Sequence, residues 1–142
     1  MTPDDLIEIE AIKQLKARYF RLLDTKQWDA WGDLFTDDVV FVDTSAPGDR
    51  MQGREAIVAQ LRKLLGPATT THHGHMPEIE LTGPTTATGV WAMFDYVHLP
   101  QVDPPVTFEG WGHYHEEYVK ADDGTWRIAR LRLSRLRIDP KG

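Results

Sequence analysis

At 142 residues the chain is sized for one domain around one core, and 41% hydrophobic against 27% charged residues fits a folded globular protein rather than a disordered one. A net charge of −6 argues against a nucleic-acid partner; the lack of cysteine excludes disulfides, thiolate metal sites and cysteine nucleophiles, and suits a reducing compartment. The acidic start Met1-Thr2-Pro3-Asp4-Asp5 lacks the basic region of a secretory signal, and no apolar run approaches the roughly 20 residues of a membrane span, so a cytoplasmic protein without membrane contact is expected.

The spacing predicts a first helix over residues 4–24, opened by Thr2-Pro3-Asp4 with Asp4, Asp5 and Glu8 at its positive end. Ile9, Ile12, Leu15, Tyr19, Leu22 and Leu23 form its apolar stripe; Lys13, Lys16, Arg18 and Arg21 are read as its wet face. A short aromatic helix follows over 28–35, then a strand over 38–43 that ends in the turn-rich stretch 44–49, then a third helix from Gly53 to about Leu65. Everything after Pro67 reads as strands, near 70–81, 86–99, 107–120 and 126–138, with hairpin turns at Gly83-Pro84 and Asp122-Asp123-Gly124 and a longer connection over 100–105. Helices followed by a long antiparallel meander define an α+β fold, with helices on one face of a strongly bent sheet that curls around a cavity.

Three imidazoles stand in Thr71-His72-His73-Gly74-His75, on a predicted strand. Histidine alone has an unperturbed pKa, about 6.5, that lets it exchange a proton near neutrality. Strand side chains alternate, so His73 and His75 share one face and His72 takes the other. That favours one base with two neighbours over a metal site. Asp24, near the end of the first helix, is either a solvated helix-end acid or a carboxylate that orients a histidine at the cavity mouth. Such a carboxylate accepts the Nδ1 hydrogen and fixes the tautomer, leaving Nε2 to take a proton.

Asp95 ends a row shared with Trp91 and Met93 on an otherwise apolar strand, and is read as a possible buried general acid or as an edge residue facing water. His113 and His115 share a face with Trp111 and Glu117; they are candidates to line the pocket beside His72 or, less favourably, to bind a metal with it. Arg127, Arg130, Arg132, Arg135 and Arg137 interleave with apolar residues on the last strand. Most are expected to be solvated, with one free to enter the cavity and hold an anionic group or oxyanion.

These residues resemble a family. The segments Glu10-Ala11-Ile12-Lys13-Gln14-Leu15-Lys16, Tyr19-Phe20-Arg21-Leu22-Leu23-Asp24 with Trp28-Asp29, His72-His73-Gly74-His75-Met76-Pro77-Glu78-Ile79, Thr86-Ala87-Thr88-Gly89-Val90-Trp91 and Gly124-Thr125-Trp126-Arg127-Ile128 are similar, in order and spacing, to the SnoaL-like, NTF2-like cone proteins. The resemblance is to the branch with scytalone dehydratase and bile-acid 7α-dehydratase. It implies one cone domain over residues 1–142, and places the family's Tyr, Asp, His, Asp and Arg on Tyr19, Asp24, His72, Asp95 and Arg135. Two departures are expected: a pocket tyrosine of the first strand is replaced near Asp43, and a second pocket histidine falls near Trp91.

The resulting expectation is a cofactor-independent, metal-free lyase of dehydratase type. His72, oriented by Asp24, abstracts a carbon-bound proton, while Tyr19, Asp95 or Arg135 assists the oxyanion or the leaving hydroxyl. Trp28, Trp91, Met93, Phe108, Trp111, His113 and His115 are expected to bind a hydrophobic, ring-bearing substrate of phenolic, polyketide or steroid-like type. An isomerase or an aldol-type carbon–carbon lyase or cyclase would use the same base, and a non-catalytic ligand- or protein-binding module is the alternative of a different class. Val90, Ala92, Phe94 and Tyr96 lie opposite the pocket face and predict a homo-oligomer, a dimer or a trimer.

Overall fold

The computed structural model describes residues 1–45 and 50–142. Helix α1 spans Pro3–Asp24, and Thr2 caps it reciprocally: its hydroxyl accepts from the Asp5 amide while Asp5 accepts from the Thr2 amide. Helix α2 spans Trp28–Gly32 and α3 spans Arg54–Leu65. The strands are β1 Phe35–Asp43, β2 Arg50–Gln52, β3 Thr69–Gly83, β4 Thr86–Leu99, β5 Val106–Lys120 and β6 Trp126–Pro140.

They form one six-stranded sheet in the order β2-β1-β6-β5-β4-β3. The last four strands are the expected antiparallel meander, but β1 runs parallel to β6, and β2 pairs antiparallel with β1. The three-residue β2 carries too little pattern to be read from sequence. Of the turn-rich stretch expected over 44–49, Thr44 and Ser45 form a turn and residues 46–49 lie outside the described residues.

Two extra residues on β6 bend the sheet. Glu117 pairs with Arg130 but Tyr118 with Ile128, and Trp111 pairs with Arg137 but Gly112 with Arg135. Each bulge resets which face the following side chains take. The helices cover the concave face, where Ile12, Leu15, Leu23, Trp31, Phe35, Ile57, Ile128 and Leu131 form the best-buried part of a continuous core. The opposite face of β4 leaves Val90, Ala92, Phe94 and Tyr96 half-exposed.

Lys16 departs from the wet-face reading. It is fully buried, and its ammonium bonds the Glu116 carboxylate at 2.5 Å while lying 3.6 Å from the Tyr19 ring centre and 3.8 Å from that of Tyr114. The α1 stripe is wider than its apolar residues alone indicate, because a buried anion on β5 lets a lysine join it. Among the described residues, no helix is long and apolar enough to cross a membrane.

Candidate active site

A cavity of about 240 Å³ opens between the concave sheet, the end of α1 and α3. Leu23, Phe41, Met51, Leu61, Leu65, Val97, Leu99, Phe108 and Leu133 give it an apolar wall, and Tyr19, Asp43, His72, Asp95, Tyr114 and Arg135 a polar one. A larger groove of about 720 Å³ runs between α2 and α3, but it is open to solvent and contains no histidine. The smaller cavity is the one lined by a histidine, two carboxylates and an arginine.

His72 enters it from β3 because the alternation that turns His73 and His75 outward turns His72 inward. Asp24 reaches it from the last residue of α1. Its Oδ1 lies 2.7 Å from His72 Nδ1 and also accepts from the Thr70 hydroxyl at 2.9 Å, while Oδ2 accepts the His72 backbone amide at 2.8 Å. The carboxylate is thus clamped to one short stretch of β3, and Lys26 supports Thr70 from behind at 3.0 Å. An ionised carboxylate can only accept, so Nδ1 carries the hydrogen and Nε2 keeps its lone pair. The Asp24 that α1 leaves at its unfavourable C-terminus is therefore bonded to Thr70 and His72 rather than left to solvent.

Directly across the ladder from His72 stands Asp95 on β4, and across from Asp95 stands Gly110 on β5. Arg135 spans from β6 over this glycine to place Nη1 and Nη2 2.9 Å from Oδ1 and Oδ2 of Asp95. A Cβ at position 110 would collide with both partners. Both Asp95 oxygens accept from the guanidinium, so the buried carboxyl expected here stands as the counter-ion of the arginine and not as an edge residue facing water. Burial opposes the guanidinium charge, but the bonds and charge of Asp95, with Asp43 further off, raise the Arg135 pKa above its ordinary value. The bulge at Leu136 makes this possible, turning Arg135 inward and Arg137 outward over Trp111.

Tyr19 and Tyr114 complete the polar wall. Burial is the main cause that pushes both phenols well above their usual pKa, with nearby carboxylates adding to it, so both hydroxyls stay protonated at neutral pH.

Of the expected substrate contacts, only Phe108 lines the cavity. Trp111, His113 and His115 share a face as expected, but it is the convex one; the inner face of β5 is Gly110, Gly112, Tyr114, Glu116 and Tyr118. Desolvation, then the charges of Arg132 and His113, lower the pKa of His115 out there. Trp28 faces the open α2–α3 groove. Trp91 and Met93 take the concave face but sit in the core, where the Trp91 indole donates to the Tyr118 hydroxyl at 2.9 Å. The four outer histidines do not converge with His72, and among the described residues no group of three or more His, Asp or Glu is arranged to hold a metal ion.

The sequence reading missed Tyr114 and the α3 wall of Gln60, Leu61, Leu64 and Leu65. A signal for Tyr114 was present. Two glycines flank it on its face of β5: Gly110 leaves room for the Arg135–Asp95 pair and Gly112 for the close approach of the β6 backbone, whereas the histidine face has no such gaps.

Comparison with known proteins agrees with this architecture. Residues 4–132 match the SnoaL-like domain, and the chain belongs to that family. The protein named Probable cyclase FGR4 of Gibberella zeae is 25% identical over 134 residues, covering 88% of this chain and 89% of that one. A crystal structure from Novosphingobium aromaticivorans, provisionally named a scytalone dehydratase, superposes with a TM-score of 0.88 at 24% identity, covering 100% and 93% of the two chains. A hexachlorocyclohexane dehydrochlorinase, LinA type 2, gives 0.85 at 20% identity over 98% and 92%. The two structures share the NTF2-like fold with this chain.

Proposed function

We propose that the protein is a cofactor-independent lyase of dehydratase type acting on a compact, ring-bearing hydroxy ketone. One observation carries the reading: His72 faces an apolar cavity with its Nδ1 tied to a clamped carboxylate, which leaves Nε2 as a directed base. In this reading Nε2 removes the proton next to the substrate carbonyl, and Asp24 stabilises the imidazolium. The electron pair from the broken C–H bond forms the new C=C bond as the C–O bond to the β-hydroxyl breaks, and the departing hydroxide takes the proton from the His72 imidazolium, leaving as water and restoring the base. The Tyr19 and Tyr114 hydroxyls, protonated at neutral pH, donate to the carbonyl oxygen as charge develops on it, and Asp95 holds Arg135 beside them. The names of the cyclase, dehydratase and dehydrochlorinase relatives support a lyase-type family.

The volume narrows the substrate. At about 240 Å³ the cavity falls below the ~300 Å³ where drug-sized sites begin, which favours one or two rings over a steroid. A direct test uses 3-hydroxy-1-tetralone, whose loss of water yields 1-naphthol and a fluorescence signal. The same sample in deuterium oxide reports exchange of the proton next to the carbonyl by NMR. Elimination, or exchange alone, that disappears in His72→Ala supports the base. Equal rates in wild type and variant would reject it. An aldol-type cyclase would use the same base, and product analysis separates the two.

A further inference from the structure

We propose that Asp43 makes the polar end of the cavity selective for neutral, hydroxyl-bearing rings and against rings that carry a carboxylate, sulfate or phosphate. The inference rests on the cavity being the substrate site, and adds the charge class of what enters it. Asp43 is the last residue of β1, beside Leu133 in the parallel ladder and therefore close to the inward-turned Arg135. Both residues line the cavity. Ser45 fixes the Asp43 carboxylate, donating to Oδ1 from its amide at 2.9 Å and from its hydroxyl at 2.6 Å. Among the described residues, no donor reaches Oδ2.

The charges on the wall do not balance. Among the described residues Arg135 is the only arginine or lysine that lines it, and both terminal guanidinium nitrogens donate to Asp95. Asp43 is then a second carboxylate on the same wall, and Asp24 behind His72 is a third close by. An anionic substituent would meet a guanidinium whose charge Asp95 already balances, and a fixed like charge in a poorly solvated site. A hydroxyl can instead donate to Asp43 Oδ2 in a charge-assisted hydrogen bond. The electrostatic pull of Asp43 on the Arg135 proton is consistent with this proximity. The arginine that looks in sequence like an anion receptor is thus already neutralised by Asp95, and Asp43 sets the preference of what remains.

The test compares two probes of one shape, 6-(hydroxymethyl)-1-tetralone and 1-tetralone-6-carboxylate, by calorimetric titration at pH 7. Wild type is expected to bind the alcohol at least tenfold more tightly than the carboxylate. Asp43→Asn should shrink that ratio to about threefold or less, mainly through tighter carboxylate binding; Asp43→Thr is a second neutral variant should the first fold poorly. Equal affinities in wild type, an unchanged ratio in the neutral variants, or no binding of the alcohol would each overturn the proposal. The ratio should persist in His72→Ala. Loss of the base reading would therefore leave this one standing, and equal wild-type affinities would sink this one alone.

Discussion

Two charge clusters lie side by side under the concave sheet, and they differ in what is left unsatisfied. In the sealed one, Lys16 bonds Glu116 with neither side chain exposed, Glu116 accepts from the Tyr118 hydroxyl at 2.6 Å, and Tyr118 accepts from Trp91. In the open one, Asp24 and Asp95 hold His72 and Arg135 against a cavity wall, and among the described residues none bonds His72 Nε2. Burial of charge is common to both. A spare lone pair facing empty volume belongs to one, and on it rests the proposal that the open cluster is reactive and the sealed one structural.

The sharpest way to break the contrast is to strike each cluster in turn. His72→Ala should abolish proton abstraction, and Asp24→Asn should cost about 10²–10⁴-fold, by loss of the tautomer that leaves Nε2 free. Neither should destabilise the fold by more than ~1.5 kcal/mol, since the cavity already exposes part of the pair. Kinetics of 3-hydroxy-1-tetralone elimination and urea melts decide both halves. Lys16→Met should do the reverse, costing about 3–5 kcal/mol because Glu116 is left buried without its cation. Lys16→Met combined with Glu116→Gln should recover at least half of that. A Lys16→Met protein as stable as wild type would show that the sealed pair contributes nothing and that the contrast is empty.

A finer comparison uses two glycines. Ala at 89 would press on the Tyr118 hydroxyl at 2.8 Å in the sealed cluster, and Ala at 110 would press on Arg135 and Asp95 in the open one. Both should cost about 1–3 kcal/mol by overpacking. Only Gly110→Ala should also slow turnover of the folded enzyme, by about 10- to 100-fold, because it displaces the Arg135–Asp95 fork. Equal turnover in the two variants would remove that fork from the chemistry.

The same contrast explains what was legible in the sequence. Alternation on β3 separates His72 from His73 and His75, and the α1 stripe places Tyr19 inward; both follow from local period alone. Which face of β5 is concave depends instead on its neighbours, so the strand pattern alone favours the ionisable His113 and His115 over Tyr114. Arg135 and Arg137 share a face by simple alternation and are parted only by the bulge at Leu136, which no residue of β6 announces. Lys16 reads as solvent-facing until Glu116, 100 positions away, is brought opposite it. Strand periodicity was in the chain; the pairing of distant charges and the resetting of register were products of tertiary structure.

The smallest expected effect bears on the sealed cluster alone. Burial lowers the Lys16 pKa to about 8 despite the opposing pull of Glu116, against an unfolded value near 10.5. Between those values the unfolded chain binds more protons than the folded one, so stability should rise with pH from about 8 toward 10, with a slope no steeper than ~1.4 kcal/mol per pH unit. Above pH 10 the sign reverses: Tyr19 and Tyr114, whose pKa values burial raises, stay protonated in the fold while unfolded tyrosines ionise. Lys16→Met with Glu116→Gln should lose the rise and keep the fall. Urea midpoints at half-unit steps from pH 7.5 to 10.5, compared between this variant and wild type, isolate the lysine. A difference that stays flat would mean that Glu116 holds the Lys16 proton as tightly in the fold as water does outside it. Pairing would then fully offset the desolvation of the sealed charge, and the two clusters would differ in access to the cavity alone.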